Sequence, residues 1–317
     1  MTEAILLINM GGPARRNDIE PYLREIFSDP AIIDLPAILR KPLASLIAKK
    51  RVDEVAERYE SIGGYTPLFH WSESLRQNVI QELNAHGAPM EVAWAFRYIS
   101  PTIPEALEQL RKKGVTKVHI LPLFPHYTHT MTGSVMKEVE RAAEHLGLKY
   151  EYLEDWGQEE AVLELWGSYL EAALAEAGMG ARVMFVAHGI PQIYVNRGDD
   201  YPDRVRASAE KLARRLPQGT EWVVAFQSKV GPVAWTKPYM EEVLPEWTKS
   251  DAPIVMMPLS FVADCLETLY DLDSVAKEMV ESAGVKKYVR ARVFNDDPQF
   301  AHALLHVWHE SHDEAAC

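Results

Sequence analysis

The sequence has too few cysteines for a disulfide framework. Its 317 residues include only Cys265 and Cys317. Small secreted domains depend on several cysteine pairs, whereas two isolated thiols are typical of a reducing compartment. The first residues also lack a basic segment followed by a signal-type apolar run, and no stretch reaches the roughly 18 apolar residues of a membrane span. We therefore expect a cytoplasmic protein without a membrane-spanning helix.

Positive charge is scarce as well. Lysine and arginine number 33 against 46 aspartate and glutamate residues, which gives a net charge of −13. This balance argues against a nucleic-acid partner, because phosphate backbones are bound by basic surfaces. The hydrophobic fraction of 47% and the charged fraction of 25% are those of a globular protein, and the length favours two domains.

Two common site motifs are missing. The turns NMGGP (9–13) and AHGIP (187–191) follow apolar runs but contain neither GxGxxG nor GxxxxGK[ST]. No HExxH pair is present, and we interpret His306, His309 and His312 as a solvated helix face. The sequence therefore does not support a phosphate-loop enzyme or a zinc hydrolase of that type.

Apolar and β-branched runs alternate with helical patterns along most of the chain. This alternation predicts an α/β protein with parallel sheets and right-handed crossovers. The eight predicted strands are Ala4–Asn9, Glu91–Phe96, Lys117–Phe124, Lys149–Leu153, Arg182–Ala187, Glu221–Phe226, Pro253–Leu259 and Tyr288–Phe294.

The second half of the chain repeats the first in order. LLINMGGP (6–13) resembles MFVAHGIP (184–191), AWAFRYISP (93–101) resembles VVAFQSKVGP (223–232), and ILPLF (120–124) resembles MMPLSF (256–261). We therefore expect two similar domains, each with a four-stranded parallel sheet flanked by helices. The predicted divisions are 1–157, with an insertion at about 14–90, then 158–298, and a final helix over 299–317.

Ligands of open parallel sheets bind beyond the carboxyl ends of the strands. If the two halves face each other, Met10 and His188 lie on opposite sides of a shared cleft, which is a hypothesis. The residues that follow the predicted strands are Met10, Arg97, Tyr98, His126, Tyr127, His188, Gln227, Ser228, Asp264 and Glu267.

An acidic pattern follows the strand that ends near Leu259. On an α-helix, Asp264, Glu267 and Asp271 share one face. This pattern is either a solvated helix start, where acids suit the helix dipole, or a partly enclosed site. We favour a site with His188 as the proton acceptor and Glu267 as its neighbour, although a core or capping histidine is the simpler alternative.

The insertion contains an apolar stripe with a basic rim over residues 35–51, LPAILRKPLASLIAKKR. Such stripes usually pack in a core. The alternatives are a lip over a large, flat, apolar acid and a surface that touches a membrane.

Ten segments together resemble the ferrochelatase family, in order from about Leu6 to Phe300. They are LINMGGP, IIDLP, IAKKR, YESIGGYTPL, FRYISPTIPEAL, LPLFPHYTHTMTGSV, AHGIP, FQSKVGPVAW, SFVADCLETLYDLD and FNDDPQF. The resemblance implies two Rossmann-like, chelatase-like domains. It also implies a lyase of haem biosynthesis that inserts ferrous iron into protoporphyrin IX, with iron as a substrate.

The same resemblance assigns site residues position by position. His188 matches the catalytic histidine and Glu267 its carboxylate partner. The implied metal set is His188, Glu267, Asp264 and Asp271. The implied porphyrin contacts are Met10, Arg51, Arg97, Tyr98, Tyr127, Ser228, Trp235 and Phe261, of which Arg51 and Ser228 match propionate contacts.

Some positions depart from the family pattern. Cys265 stands where histidine is usual and His126 where glutamine is common, so the two changes either compensate each other or reflect neutral drift. Glu54 replaces a basic residue near the implied propionate contacts. Two cysteines cannot supply the four ligands of an iron–sulfur cluster, so no cofactor is expected. Met10, where other members carry tyrosine, favours protoporphyrin over coproporphyrin.

Other readings remain open at this point. A coproporphyrin III ferrochelatase and a cobalt or nickel tetrapyrrole chelatase share the chemistry, and the Irving–Williams order favours cobalt or nickel in the same site. A non-catalytic tetrapyrrole-binding protein is the alternative from another class. Peripheral membrane association through residues 35–51 is a further expectation.

Overall fold

The computed structural model describes residues 2–231 and 233–315, and in the last helix it describes side chains up to Ser311. Cys317 and the side chain of His312 lie outside this range. The chain forms two compact units, of which the first comprises Met1–Glu154 with Asp296–Cys317 and the second Asp155–Asn295. The last helix, predicted as a separate segment, is thus grouped with the first unit.

A four-stranded parallel sheet forms the centre of the first unit. Its strands are β1 (Glu3–Asn9), β2 (Glu91–Phe96), β3 (Lys117–Pro122) and β4 (Lys149–Tyr152), in the order β2-β1-β3-β4. Residues Ala4–Ile8 of the central strand are fully buried. Burial on both faces explains why this strand is a continuous apolar run rather than an alternating one.

Helices cover both faces of this sheet and fill the insertion. Thr102 starts α4 with a capping box, in which its side chain accepts from the Glu105 N–H while Glu105 accepts from the Thr102 N–H. Gly147, in a left-handed conformation, ends α5. The helices of the unit are a 3₁₀ turn (Arg16–Asp18), α1 (Ile19–Ser28), α2 (Ala37–Ser61), α3 (Leu68–Ala85), α4 (Ile103–Lys112), α5 (Thr132–Leu146) and α11 (Pro298–Ala315).

The second unit repeats the same sheet topology. Its strands are β5 (Arg182–His188), β6 (Trp222–Gln227), β7 (Ile254–Pro258) and β8 (Tyr288–Arg290), all parallel, in the order β6-β5-β7-β8. Its helices are α6 (Glu160–Ala177), α7 (Gln192–Asn196), α8 (Tyr201–Ala213), α9 (Met240–Trp247), a π-helix (Glu267–Ala276) and α10 (Lys277–Ser282).

One face of the second sheet packs against the π-helix. Met184 and Val186 of β5 share a core with Leu272 and Ala276 of the π-helix. Side chains alternate along a strand, so His188 emerges on this same face two residues after Val186. The fold therefore brings the end of β5 and the π-helix to one side of the sheet.

The two parallel four-stranded sheets confirm the predicted α/β fold. The insertion, of which the sequence analysis described only the apolar stripe over residues 35–51, contains three helices, α1 to α3. One local expectation was wrong. The segment after Leu266 is a π-helix rather than an α-helix, and Asp264 precedes it, so the three acids do not form one α-helical stripe.

Within residues 2–231 and 233–315, no helix is both long enough and apolar enough to cross a membrane.

Candidate active site

His188 ends β5, and its backbone is held from two sides. Its N–H donates to the Ser260 hydroxyl at 2.8 Å, and its carbonyl accepts from the Tyr201 hydroxyl at 2.9 Å. The Nδ1 atom lies 2.6 Å from the Gly189 carbonyl oxygen. A carbonyl oxygen can only accept, so Nδ1 carries the hydrogen and the Nε2 lone pair of the neutral ring stays available as a base.

The turn after His188 admits only a small residue. A Cβ atom on Gly189 would lie 3.1 Å from the Gln227 carbonyl oxygen and 3.2 Å from the Thr236 hydroxyl. Trp235 packs close to this turn, with its ring centroid 6.3 Å from that of His188. The Trp235 indole N–H donates to the Val230 carbonyl oxygen at 2.9 Å, which fixes the plane of the ring. The structure thus brings the predicted residues His188 and Trp235 together.

Ser228 links the end of β6 to the π-helix. Its hydroxyl donates to the Asp271 carboxylate at 3.3 Å. The backbone of Ser228 is left-handed, with φ 69°, a conformation that non-glycine residues adopt rarely and mainly at functional turns. The predicted residues Ser228 and Asp271 therefore belong to one local cluster.

Glu267 is the first residue of the π-helix and is half-buried. Its near neighbour is the Cys265 thiol, whose pKa is raised well above its usual value by burial and, secondarily, by the Glu267 carboxylate. Cys265 is therefore a neutral thiol at cellular pH that places a weak hydrogen-bond donor beside Glu267.

Asp264 is held by three neighbouring side chains. Its Oδ1 accepts from the Thr268 hydroxyl at 2.9 Å and lies 3.1 Å from the Arg290 guanidinium. Its Oδ2 accepts from the Asn295 side-chain amide at 2.8 Å, while the Asp264 N–H donates to the Asn295 side-chain oxygen at 2.7 Å. These contacts engage both carboxylate oxygens within the protein.

The four predicted metal residues all lie in the second unit, but they do not form a ready-made metal centre. In the described part of the chain, no hydrogen bond or ion pair joins His188 to Glu267. Nor is any group of three or more histidine, cysteine, aspartate and glutamate side chains there arranged to hold a metal ion.

The sequence analysis placed Gln227 at a strand end but gave it no role. It lies opposite His188 in the β5–β6 register and is only 2% exposed. Neither polar atom of its side-chain amide has a hydrogen-bond partner within the protein. A buried amide without a partner is costly, so this side chain marks the strand end beside His188 as a polar position.

In the first unit, Met10 follows β1 and is half-buried. Its N–H donates to the Asn9 side-chain oxygen at 2.7 Å. Gly11 next to it has φ 87°, and a Cβ atom there would lie 2.8 Å from Phe96 and from Ile99. The turn that presents Met10 therefore requires glycine.

Arg51 lies on α2 beside an aromatic ring. Its guanidinium carbon is 5.9 Å from the Phe27 ring centroid, within the range of a cation–π contact. Burial lowers the pKa of Arg51, and the Glu54 carboxylate partly offsets that effect. Glu54 also pairs with Arg58 at 2.6 Å, so this departure from the family pattern is charge-balanced locally.

Arg97 and Tyr98 converge on the buried carboxylate of Asp29. The Arg97 guanidinium and the Tyr98 hydroxyl donate to the same oxygen at 2.8 Å and 2.9 Å, and Ser134 joins them. Burial, reinforced by Asp29, raises the pKa of Tyr98. Both predicted porphyrin residues are thus committed to a network that ties β2 to α1 and α5.

The remaining predicted residues are half-buried or buried in their own units. The Tyr127 hydroxyl approaches the first turn of α5, 3.2 Å from the position of a Cβ on Gly133. His126 is buried beside it, and Phe261 is half-buried after β7.

The family model for ferrochelatase matches residues 2–312. Among curated proteins, the chain is 33% identical to the ferrochelatase of Synechococcus elongatus, over 95% of this chain and 80% of that protein. It is 32% identical to ferrochelatase-2, chloroplastic, of Arabidopsis thaliana, over 97% of this chain and 63% of that longer protein. The chain belongs to the ferrochelatase family. The resemblance inferred from the sequence is therefore confirmed.

Solved structures agree on the fold. The cobalt complex of the sirohydrochlorin chelatase SirB from Bacillus subtilis subspecies spizizenii superposes with a TM-score of 0.56 at 16% identity, covering 98% of this chain and 95% of that one. CbiX, described as the terminal enzyme of sirohaem biosynthesis in denitrifying bacteria, gives 0.52 at 15% identity, with 98% and 99% covered. At these identities the likeness concerns the fold alone.

As a ferrochelatase, the chain is a metal-insertion enzyme of haem biosynthesis that places iron in a porphyrin. The predicted enzyme class is confirmed, and a non-catalytic tetrapyrrole-binding protein is excluded as the main reading. The ferrochelatase relatives also favour iron insertion over the cobalt or nickel alternative, which has only fold-level support.

Proposed function

We propose that this ferrochelatase converts protoporphyrin IX and ferrous iron to protohaem, with His188 as the proton acceptor. The observation that carries the role of His188 is its 2.6 Å hydrogen bond from Nδ1 to the Gly189 carbonyl oxygen. Insertion of a divalent ion displaces the two pyrrole N–H protons, and the ligand nitrogens must be deprotonated to bind it. The Nε2 lone pair of His188 supplies a base that can accept one of these protons.

The acidic residues divide into two roles under this proposal. Glu267 and Asp271, at the first and fifth positions of the π-helix, receive hydrated ferrous iron through carboxylate oxygens, and Glu267 also balances the charge of protonated His188. Asp264 differs, because Thr268, Arg290 and Asn295 occupy both of its oxygens. We therefore assign Asp264 to positioning instead of to direct iron contact.

We retain five of the predicted porphyrin contacts. Trp235 beside His188 offers a rigid ring face, and Arg51 offers a cation to a propionate. Arg97 and Tyr98 are instead assigned to the Asp29 network, because their polar groups are already bonded there. Ser228 is likewise assigned to its contact with Asp271. The contacts retained are Met10, Arg51, Tyr127, Trp235 and Phe261.

Replacement of His188 tests the central assignment. For His188→Ala we expect turnover to fall by about 10²–10⁴-fold, which is the usual contribution of a positioned general base. The rate should be measured from pH 5.5 to 9 under anaerobic conditions with porphyrin saturating, and the ascending limb should disappear in the variant. A variant that keeps the wild-type pH profile and rate would refute the role of His188.

The porphyrin itself is tested by a direct comparison. We expect a higher kcat/KM for protoporphyrin IX than for coproporphyrin III with ferrous iron in the same assay, and Met10→Tyr should shift the ratio towards coproporphyrin. A higher kcat/KM for coproporphyrin III in the wild-type chain would overturn the protoporphyrin assignment and leave iron insertion intact.

Membrane contact through residues 35–51 is part of the proposal. Ile38, Leu39 and Leu46 are exposed on α2 at 82%, 59% and 60%, and lysines 41, 49 and 50 lie along the same helix. Arg40 is bound to the carbonyl oxygens of Ser28 and Leu35, so it contributes less to a lipid surface. An exposed apolar face with lysines beside it suits an anionic bilayer surface.

Vesicle flotation tests this contact. We expect the wild-type protein to float with vesicles that contain phosphatidylglycerol and the variant Ile38→Glu/Leu39→Glu to remain below them. Met179→Glu, at an exposed apolar residue of the second unit, is the matched control and should float like the wild type. Equal flotation of all three proteins would refute residues 35–51 as the membrane contact.

The proposal includes no iron–sulfur cluster and a cytoplasmic location. The cluster prediction rests on the cysteine content, since the sequence supplies only Cys265 and Cys317. Iron quantification and electron paramagnetic resonance of the anaerobically purified protein would contradict it by detecting a stoichiometric cluster.

A further inference from the structure

The π-helix of the second unit is long for its type. It runs over ten residues, Glu267–Ala276, whereas π-helical structure usually occurs as a single-turn bulge within an α-helix. Its own backbone geometry is therefore not the natural preference of the chain, and contacts from outside must support it. These contacts converge on two places, the residues just before the helix and the pair Leu272–Asp273.

Arg290 of β8 reaches both places. Its Nε and Nη2 atoms donate to the two oxygens of Asp273 at 2.7 Å and 2.9 Å, which is a bidentate pair. The same Nη2 lies 3.1 Å from Oδ1 of Asp264. One guanidinium, 13% exposed, thus joins a carboxylate before the helix to a carboxylate within it.

Tyr288 supports the same turn from the same strand. It lies two residues before Arg290 and therefore on the same face of β8. Its hydroxyl donates to the Leu272 carbonyl oxygen at 2.7 Å, next to the residue that Arg290 binds. β8 therefore holds the middle of the π-helix through a backbone group and a side chain.

Glu267 and Asp271 lie between the two points that Arg290 joins. Asp264 is three residues before Glu267, and Asp273 is two residues after Asp271. Asp264 in turn binds the Thr268 hydroxyl, and this bond fixes the first turn of the helix. Arg290 thus holds the chain on both sides of the two proposed iron-receiving carboxylates.

We propose that Arg290 is a positioning residue for iron delivery, acting through Asp264 and Asp273 to fix where Glu267 and Asp271 stand. This inference rests on the proposed roles of those two acids. Arginine is required, because two parallel N–H groups for Asp273 and a third contact for Asp264 need a planar fork that lysine does not have.

Arg204 provides a matched control in the same unit. It also binds two aspartates, Asp200 at 2.7 Å and Asp155, and its side chain is 31% exposed. It lies on α8, and both of these acids lie outside the π-helix. Arg204→Lys therefore measures the general cost of removing an arginine fork between two acids.

The experiment compares Arg290→Lys, Arg290→Gln and Asp273→Asn with Arg204→Lys. We expect the KM for ferrous iron to rise by about tenfold or more in the three site variants, the usual scale for losing a group that orients metal-binding residues. Porphyrin affinity, measured by fluorescence quenching, should stay within about twofold, and Arg204→Lys should leave both values near wild type.

Two results would overturn the proposal. One is an iron KM within about twofold of wild type in folded Arg290→Lys and Asp273→Asn proteins. The other is a rise in the iron KM that is accompanied by a loss of porphyrin affinity and a lower melting temperature, since a general loss of folding would explain all three changes. Asp273→Asn keeps the experiment informative if both Arg290 variants fail to fold, because it removes only one of the tethers.

Glu267→Gln separates this inference from the function on which it rests. If Glu267→Gln leaves the iron KM unchanged, the proposed role of Glu267 fails. If Glu267→Gln raises the iron KM and the Arg290 variants do not, the proposed function stands and the positioning role alone is refuted.

Discussion

The Ser228 hydroxyl lies 3.3 Å from a carboxylate oxygen of Asp271, so the end of β6 is tied to the π-helix by one hydrogen bond. The family resemblance assigns Ser228 to a porphyrin propionate, whereas this contact assigns its hydroxyl to an acid that we propose for iron. The two roles predict changes in different kinetic constants.

We expect Ser228→Ala to raise the KM for iron by about fivefold, since a hydrogen bond of this kind contributes about 1 kcal/mol. Ser228→Gly is the matched variant, because it also lacks the hydroxyl but accepts the left-handed φ without strain. Both variants should raise the KM for iron by the same factor. A rise in the porphyrin KM alone would favour the propionate role.

Removal of Asp29 should destabilise the first unit strongly. Asp29→Ala leaves the half-buried Arg97 guanidinium without its buried carboxylate partner, and breaking a buried pair typically costs about 3–5 kcal/mol. Tyr98→Phe removes one hydrogen bond and should cost about 1 kcal/mol. Urea unfolding at pH 7 measures both changes. A smaller loss of unfolding free energy for Asp29→Ala than for Tyr98→Phe would contradict the view that Asp29 is the centre of this network.

Gly11→Ala should cost more free energy of unfolding than Gly63→Ala. Both glycines have positive φ, at 87° and 106°, so the left-handed backbone lowers the free energy of unfolding of both variants by about 1–2 kcal/mol. Only at Gly11 does the new Cβ also collide with Phe96 and Ile99, whereas nothing lies within 4 Å at Gly63. Equal losses in denaturant melts would show that the turn before α1 adapts to a side chain.

Cys265 should be inert to alkylation in the folded protein. Burial, with the nearby Glu267 carboxylate, raises its pKa, so the reactive thiolate is scarce even at pH 9. We expect iodoacetamide labelling of the Cys265 peptide, followed by mass spectrometry, to be far slower in native protein than in 6 M guanidinium. Comparable rates at pH 8 would show that the thiol is accessible.

The same shift has a consequence for stability. The folded pKa is raised above the unfolded value of about 8.5, so the contribution of this thiol is fully present below that value. It is lost as the pH rises from the unfolded towards the folded pKa. Wild-type protein should therefore lose more stability than Cys265→Ala between pH 8 and pH 10 in urea melts.

The sequence was sufficient to predict the sheets because parallel strands are buried on both faces. Continuous apolar runs such as Ile5–Ile8 and Ile254–Met257 have few other readings, and all eight predicted strands overlap the observed ones. The internal repeat then showed which strands of the two halves correspond, and this correspondence located the strand ends. Short motifs at those ends carried the family resemblance.

The π-helix could not be predicted in the same way. Its residues satisfy α-helical periodicity, and the change to i→i+5 bonding depends on partners far along the chain. Arg290 follows Asp273 by 17 positions and Asn295 follows Asp264 by 31. Sequence reasoning placed the acids after β7. The family resemblance implies a metal role for Asp264, whereas we propose a positioning role, because its oxygens are bonded to Thr268, Arg290 and Asn295.

The grouping of α11 with the first unit sets an order on synthesis. Asn78 of α3 donates to the Asp296 carbonyl oxygen just before α11, and Glu82 of α3 binds His302 of α11 at 2.6 Å. A ribosome delivers α11 only after every residue of the second unit has been made. The first unit can thus begin to fold early, but one flank of α3 stays uncovered until α11 has been made. A nascent chain arrested before Asp296 would expose that flank to chaperones.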